Sequence, residues 1–324
     1  MGHARRDHRH TDRQADPDFH QARPVGGRGG EHPPGSDSVV GSGHQSGSHS
    51  GPPPEPNPLP FAVVDNHTHL DINREGQGAV DVAAAIAAAR RVGVDRMVQV
   101  GCDLDGARWT VEVIDQHPEL LGAIAIHPNE APKHADAGEL DAALAEIEHL
   151  AAHPRVRAIG ETGLDYFRTG PDGVAAQQDS FRWHIDLAKR TGKALQIHDR
   201  DSHADVLRIL KEEGAPEKVV LHCFSGDVTM ARECVDRGYF LSFAGTVTFK
   251  NARGLRDALA VTPLEQILVE TDAPYLTPSP HRGAPNSPYL TPVTVRRMAD
   301  VLNVDLPTLC QAISTNSEAV YGAW

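Results

Sequence analysis

Residues 61–69 read FAVVDNHTH, an apolar run that leads directly into two histidines with one residue between them. A short apolar run of this kind, followed by a polar loop and a helical stretch, recurs from here towards the C-terminus. Buried parallel strands are near-continuous apolar runs, so each run predicts one strand of a parallel sheet. The eight predicted strands are Phe61–Asn66, Arg96–Val100, Gly122–Ile126, Val156–Gly160, Ala194–His198, Val219–His222, Tyr239–Phe243 and Gln266–Glu270.

Helical patterns rich in alanine separate these runs, and strands that alternate with helices predict βα units. Eight such units in about 240 residues favour a closed α/β barrel, a (β/α)8 TIM barrel, over an open sheet. Two further helical patterns, Tyr289–Leu302 and Leu306–Tyr321, follow the eighth strand and are expected to pack outside the barrel. The clearest helical patterns between strands are Val80–Val92, Leu140–Ala152, Ala175–Arg190 and His203–Glu213.

The first 60 residues have a different composition, with ten prolines, ten glycines and seven histidines. Sizeable apolar side chains are scarce among them, so burial cannot offset the entropy cost of ordering this segment. We therefore predict a disordered low-complexity tail over residues 1–60 and one folded domain over residues 61–324.

The 324 residues, 40% hydrophobic and 23% charged, have the composition of an ordinary globular protein. No apolar run approaches the ~18 residues of a membrane span, which excludes an integral membrane protein. Four scattered cysteines without a CxxC pair predict reduced thiols and a cytoplasmic location. The formal net charge of −13 argues against a long basic groove, so any nucleic-acid phosphate would be bound locally.

Polar side chains gather where the predicted strands end, which is where barrels of this type carry their chemistry. His67 and His69 follow the first strand two residues apart, so in an extended chain both imidazoles point to one face. Across the strand ends, four histidines and two carboxylates converge, a set that suits divalent Zn, Mn or Mg. Two ions bridged by a carboxylate would use all six ligands, whereas one ion would not. Glu161, after the fourth strand, is the candidate bridge.

Several other residues near the strand ends keep two interpretations. His127, after the third strand, either contacts phosphate or caps its own loop. Glu270 either orients a metal ligand or pairs with an arginine. Tyr166 and Phe224 either stack on a terminal base or pack in the core, which we favour.

The motifs at the strand ends resemble those of the TatD family of metal-dependent deoxyribonucleases, within the amidohydrolase-like barrels. The resemblance spans nearly all of residues 61–324 in the family's order, and its GLDY and ETDAPYL blocks are more specific than the HxH pair. The matching stretches are VDNHTHLD (64–71), IHP (126–128), GETGLDY (160–166), IHDRD (197–201), LHCFSG (221–226) and ETDAPYLTPSPHRG (270–283).

This resemblance implies a (β/α)8 hydrolase that cleaves phosphodiester bonds, typically as a 3′–5′ exonuclease on single-stranded DNA, with RNA as a further substrate. It implies support from two divalent metal ions, Mg or Mn with Zn as the alternative, and we infer no obligate protein partner. The implied metal ligands are His67, His69, Glu161, His198, His222 and Asp272.

Roles within that set follow from the chemistry expected of such a site. His67, His69 and Asp272 would hold one ion, His198 and His222 the other, and Glu161 would bridge the two. Asp272 and Glu161 are the predicted catalytic residues, with Asp272 placed to accept the proton of the attacking water. The predicted substrate-binding residues are Arg200 and Arg282, which would hold phosphate, and His127.

Two other classes of protein fit parts of this pattern. A small-molecule amidohydrolase or lactonase could use the same metals, and many such sites bridge them with a carboxylated lysine on the fourth strand. Here that strand offers Glu161, and no lysine occurs between Lys133 and Lys189. A non-catalytic metal-binding scaffold is the other class, but a site that has lost its activity usually loses a ligand as well.

Overall fold

The inner layer of the fold is a sheet of eight parallel strands, each paired with its neighbour in sequence order. The computed structural model describes residues 51–74 and 79–324, together with the backbone of Gln14–Ala15, which pairs in parallel with Asn73–Arg74. The barrel strands are β1 (Val63–Thr68), β2 (Val94–Gly101), β3 (Leu120–Ile124), β4 (Val156–Asp165), β5 (Ala194–Arg200), β6 (Val219–Leu221), β7 (Phe240–Phe243) and β8 (Ile267–Val269).

Helices alternate with these strands and form the outer layer, which confirms the predicted TIM barrel. The helices in the described part of the chain are α1 (Val82–Arg91), α2 (Leu104–Gln116), α3 (Ala131–Asp136), α4 (Leu140–Ala151), α5 (Val174–Thr191), α6 (His203–Glu213), α7 (Val228–Asp236), α8 (Arg253–Ala260), α9 (Thr291–Leu302) and α10 (Leu306–Tyr321). None of these helices combines the length and the apolar character that a membrane crossing would need.

Aspartates define where several of these helices begin. Asp81, Asp103, Asp227 and Asp305 precede α1, α2, α7 and α10, and each carboxylate accepts a hydrogen bond from a backbone N–H of the first helical turn. Such caps satisfy N–H groups that have no partner inside the helix, and each stabilises its helix by about 1 kcal/mol.

The barrel closes between β1 and the segment that follows β8. The Asp272 N–H donates to the His67 carbonyl at 2.9 Å, and the His69 N–H donates to the Ala273 carbonyl at 2.8 Å. The buried Asp65 carboxylate accepts from the Thr271 backbone N–H at 2.9 Å and from its hydroxyl. Burial raises the pKa of Asp65 to about 7, although the hydrogen bonds from Thr271 oppose this shift. The seam of the barrel therefore runs through the strand ends that carry the predicted metal ligands.

The last turn of α10 departs from the expectation that both C-terminal helices pack outside the barrel. Leu309 and Ile313 do pack in the outer layer, but Tyr321 joins the apolar cluster inside the barrel. Its hydroxyl donates to Asn66 Oδ1 at 2.9 Å and accepts from Gln196 Nε2 at 2.6 Å. These two polar side chains interrupt the apolar runs of β1 and β5, and they provide the partners that a buried tyrosine hydroxyl needs.

The folded domain begins earlier than the predicted boundary at residue 61, because residues 53–59 contact the barrel. The carbonyl of Pro53 accepts from the Tyr289 hydroxyl at 2.6 Å, and Arg296 donates to the carbonyls of Asn57 and Pro58 at 2.8 and 3.0 Å. Leu59 is buried in the outer core. The predicted disorder of residues 1–50 falls outside the described residues, apart from the Gln14–Ala15 pairing.

A chain that lacks residues 1–60 should melt at a lower temperature than a chain that lacks residues 1–50. The longer deletion removes the burial of Leu59, worth about 2 kcal/mol, and the hydrogen bonds at Tyr289 and Arg296. At this size the loss corresponds to a fall in Tm of about 5 °C, which calorimetry would detect. Tyr289→Phe in the shorter deletion is the control, since it removes one hydrogen bond and should lower Tm by less. Equal melting temperatures of the two deletions would restore the boundary at residue 61.

Candidate metal centre

The carboxylate of Glu161 lies at the centre of the barrel mouth and is fully buried. Its Oε1 atom is 2.6 Å from His198 Nδ1, 2.9 Å from His222 Nε2 and 3.3 Å from His127 Nε2. Its Oε2 atom is 3.4 Å from His67 Nε2 and 3.9 Å from His69 Nε2. The two oxygens of one carboxylate therefore face two different sets of imidazoles.

Asp272 faces the histidines of β1 from the opposite side of the seam. Its Oδ1 atom is 3.3 Å from His69 Nε2 and 3.8 Å from His67 Nε2. The residue has a φ of 53°, a left-handed conformation that aspartate tolerates better than most residues. The hydrogen bond from its N–H to the His67 carbonyl holds it there. All six predicted metal ligands thus belong to one cluster, in which the four histidines face Glu161 and the two of β1 also face Asp272.

Irregularities in the strands turn the side chains toward the mouth. In the β4–β5 ladder, Ile159 and Thr162 pair with Leu195 and Ile197, so two residues of β4 oppose one residue of β5. Glu161 is one of those two residues. The β1–β2 ladder has a similar shift between Asp65 and Thr68, around His67. Such bulges commonly redirect a side chain beside a functional site.

Glycine is required just beyond Glu161. Gly163 has a φ of +132°, and a Cβ atom there would lie 2.1 Å from the His198 carbonyl oxygen. The absent side chain lets β4 run against the backbone of β5, which brings His198 within hydrogen-bond distance of Glu161.

The donor set fits divalent metal ions. Three groups have ligand atoms close enough together to hold an ion; they are His67–His69–Glu161, His67–His222–Asp272 and His127–Glu161–His198. Both ring nitrogens of His67 are buried, and the described residues offer neither of them a hydrogen bond of good geometry. Its imidazole stacks on that of His222, with ring centroids 3.9 Å apart. A buried imidazole whose ring nitrogens accept no hydrogen bond from the protein is well suited to bind a metal ion.

The ring nitrogens that point away from the centre are held by other groups. His69 Nδ1 lies 2.9 Å from the Val100 carbonyl, and His222 Nδ1 lies 3.1 Å from Glu270 Oε1. His198 Nε2 lies 3.1 Å from Asp165 Oδ2. Such contacts fix the tautomer and the orientation of metal-binding histidines. Of the two interpretations of Glu270, the structure supports the one in which it orients a ligand.

Glu270 is in turn fixed by a chain of buried polar groups that the sequence analysis did not identify as part of the site. The Ser242 hydroxyl donates to Glu270 Oε2 at 2.5 Å and accepts from Asn66 Nδ2 at 2.7 Å. Asn66 Oδ1 accepts from the Tyr321 hydroxyl. The available signal was a polar residue inside an apolar run, which Asn66 and Ser242 both provide.

The charges of the centre shift the pKa values of its members in opposite directions. Burial opposes the charge of Glu161, but the neighbouring histidines, His222 foremost, outweigh it and hold the pKa well below the usual range. Burial lowers the pKa of His67, and the neighbouring His222 lowers it further. For His69, burial is outweighed by Asp272, which raises the pKa to about 9. For His198, burial is outweighed by Asp165 and Glu161, which also raise the pKa to about 9.

His127 lies closer to the centre than the sequence indicated. Its Nε2 atom faces Glu161, and its Nδ1 atom accepts from the Asn129 backbone N–H at 3.0 Å. It therefore caps its own loop, as one of the two interpretations held, and it also belongs to a group that can hold a metal ion.

The two predicted phosphate-binding arginines stack on aromatic rings; Arg200 is the last residue of β5, and Arg282 lies in the loop that follows β8. The Arg200 guanidinium is 3.9 Å from the centroid of Phe167, and that of Arg282 is 4.1 Å from the centroid of Phe249. Phe224 is 3% exposed and packs in the core, as favoured from the sequence. The sequence did not indicate a role for Phe167, whose ring is the one that Arg200 contacts.

Histidines grouped around a buried carboxylate at the mouth of a TIM barrel are typical of metal-dependent hydrolases, and this protein is of that class. Residues 64–322 match the model of the family described as TatD related DNase. The chain belongs to this TatD family, as the motifs at the strand ends predict.

Bacterial relatives support this assignment. The chain is 48% identical over 264 residues to the Mycobacterium tuberculosis protein named uncharacterized metal-dependent hydrolase TatD, covering 80% of this chain and 98% of that protein. It is 37% identical over 262 residues to the Bacillus subtilis metal-dependent hydrolase YabD, covering 80% and 98%. Among solved structures, the Escherichia coli TatD homolog YjjV superposes with a TM-score of 0.73 at 27% identity, covering 80% of this chain and 97% of that chain.

If Glu161 bridges two ions, as the sequence predicts, replacing it by glutamine should preserve the fold but remove one of the ions and nearly all turnover. The neutral amide cannot bridge two cations, whereas each set of histidines keeps its other ligands. Elemental analysis of the purified protein measures the ions per chain. Glu265→Gln is the matched control, because Glu265 is exposed and lies before β8. Two ions per chain with wild-type turnover in Glu161→Gln would refute the bridging role.

Binding of a divalent metal should release protons and should tighten as the pH rises toward 9. With pKa values of about 9, His69 and His198 are positively charged imidazolium groups at pH 7 in the metal-free protein. Metal binding requires neutral imidazoles, so each of these protons must leave. Titration calorimetry in two buffers of different ionisation enthalpy gives the number of protons released. An affinity that stays constant between pH 7 and 9 would contradict this expectation.

Proposed function

We propose that this metal-dependent hydrolase cleaves phosphodiester bonds at the 3′ ends of single-stranded DNA or RNA, with two divalent ions as cofactors. The observation that carries the proposal is the buried Glu161 carboxylate, whose two oxygens face two separate sets of histidines. Mg or Mn would serve as the ions, with Zn as the alternative. Membership of a family described as TatD related DNase supports the choice of nucleic acid as substrate.

The residues present divide into two groups on either side of Glu161. His67, His69 and Asp272 would hold one ion, and His198 and His222, with His127 beside them, would hold the other. Paired divalent ions supply Lewis-acid activation of water and neutralise charge on the phosphate that is attacked. We assign His127 to this second group because its Nε2 atom faces the same Glu161 oxygen as His198.

Asp272 is the residue we propose to accept the proton from the attacking water. It is fully buried, it lies at the edge of the ligand set, and its backbone is locked by the barrel seam. Glu270 and Asp165 hold His222 and His198 in place from behind, so the imidazoles need not reorient during the reaction. A base fixed in this way contributes about 10²–10⁴ to the rate.

Arg200 and Arg282 would provide positive charge for the phosphates of the strand. The chain carries a net charge of −13, which disfavours a long track of nucleic acid along its surface. Local cations beside a metal pair instead favour a single strand that presents one end to the barrel mouth.

Purified protein should release mononucleotides from 3′-labelled linear single strands in the presence of Mg or Mn, and should leave a closed single-stranded circle intact. Asp272→Asn should lower kcat by about 10²–10⁴ if Asp272 is the general base. Asp300→Asn, which changes an exposed acid on α9, is the matched control and should retain wild-type turnover. Metal content is measured for each variant, so that a lost ion is not mistaken for a lost base.

The same assay includes a panel of lactones and dipeptides, and RNA beside DNA. Hydrolysis of a lactone or a dipeptide without nucleotide release would assign the centre to small-molecule chemistry. Bound metal with no turnover on any substrate would favour a binding or scaffold role. Cleavage of the circle as fast as the linear strand would refute the requirement for an end.

A further inference from the structure

Phe167 is an exposed aromatic side chain on the loop that follows β4. The residue is 43% exposed, and the other exposed large hydrophobic residues in the described part of the chain are Phe61 (46%) and Val80 (36%). Phe61 precedes β1 and so lies toward the opposite end of the barrel. Phe167 follows the strand that carries Glu161, which places it on the side of the metal centre. A single exposed apolar ring is common on protein surfaces, so what distinguishes Phe167 is its place beside the metal centre and the charged group next to it.

The backbone beneath this ring is fixed to the metal centre. Asp165 Oδ1 accepts from the Phe167 and Arg168 backbone N–H groups at 3.1 and 3.0 Å. Its other oxygen lies 3.1 Å from His198 Nε2, and His198 Nδ1 contacts Glu161. One carboxylate therefore links the loop to a predicted metal ligand, so the ring has a defined position relative to the cluster.

Arg200 completes the arrangement from the end of the neighbouring strand. Its guanidinium lies 3.9 Å from the centroid of the Phe167 ring, a distance at which a cation is attracted to an aromatic face. The two backbones are also joined, because the Tyr166 N–H donates to the Arg200 carbonyl at 2.9 Å. An aromatic face next to a positive charge is the combination by which proteins bind single-stranded nucleic acid without sequence preference.

We propose that Phe167, supported by Arg200, is the platform on which the terminal nucleobase of a single strand stacks while its phosphodiester lies at the metal centre. The proposal rests on the nuclease function proposed above and adds the site that recognises the base. The aromatic residues considered from the sequence are less available for this role. Phe224 is buried, and the Tyr166 hydroxyl donates to Asp205 at 2.7 Å.

Steady-state kinetics with two matched oligonucleotides test the platform. One has a normal 3′-terminal nucleotide, and the other has the same sequence with an abasic 3′ terminus. Phe167→Ala should raise KM for the normal oligonucleotide about tenfold, the size of one lost stacking contact, and should change kcat little. The increase should be much smaller with the abasic terminus. Phe167→Trp should restore the KM, because any large aromatic face can stack on a base.

Two further variants separate stacking from other effects. Phe61→Ala removes a ring of similar exposure (46%) before β1 and should leave both KM values unchanged. Arg200→Gln should raise KM for both oligonucleotides alike, because charge acts on phosphate whether or not the base is present. Equal KM values for Phe167→Ala and the wild type on the normal oligonucleotide would overturn the proposal, as would an equal increase on both oligonucleotides.

A binding measurement keeps the platform distinguishable from the nuclease activity. An oligonucleotide with 2-aminopurine at its 3′ terminus loses fluorescence when that base stacks, and Asp272→Asn protein can be titrated with it in the presence of Mg. Quenching that disappears in Asp272→Asn/Phe167→Ala supports the platform even if the wild type cleaves no nucleic acid, in which case the proposed function alone fails. Cleavage by the wild type together with quenching that does not depend on Phe167 refutes the platform alone. If the wild type neither cleaves nor binds the oligonucleotide, both are wrong.

Discussion

The arrangement of the candidate metal centre depends on one buried negative charge. Glu161 is fully buried at the mouth of the barrel, and a carboxylate in that position is stable only if positive or hydrogen-bonding groups surround it. The groups that do so come from the carboxyl ends of four other strands, β1, β3, β5 and β6. No local segment could gather them, so the parallel barrel is what makes the centre possible. If the carboxylate is removed, the histidines in turn lose the negatively charged group that they face.

The same residues close the barrel and build the centre. The seam between β1 and the end of β8 is held by hydrogen bonds at His67, His69 and Asp272, and by Asp65 with Thr271. Below the centre, the buried chain from Glu270 through Ser242 and Asn66 ends at Tyr321, in the last turn of α10. Buried polar networks of this kind rigidify a core when every member finds a partner. The orientation of His222 is thereby coupled to the C-terminal helix.

The sequence predicted the strands and the members of the centre because both have local signatures. Each strand is a short apolar run, and each ligand lies at the end of its run or within a few residues after it, so strand order places the side chains on one rim. Features that depend on contacts between distant residues were not predictable. Asn66 and Tyr321 are 255 residues apart, and the contact between Pro53 and Tyr289 spans 236 residues. The orienting role of Glu270 and the exposure of Phe167 likewise depend on which neighbours the fold supplies.

The arrangement of charge at the mouth bears on how an acidic protein could select the end of a strand. With a net charge of −13, the protein gains little from long-range attraction of a polyanion. Under the proposed function, affinity would then come from short-range contacts, with metal ions binding a phosphate and an exposed ring stacking on a base. Stacking on a single ring is easiest for a terminal base. Such a base has a neighbouring base on one face only, so its free face can stack on the ring without losing an existing contact. A weakly attractive surface with one stacking ring near one metal centre would therefore favour ends over the interior of a strand, without any contact that reads the sequence.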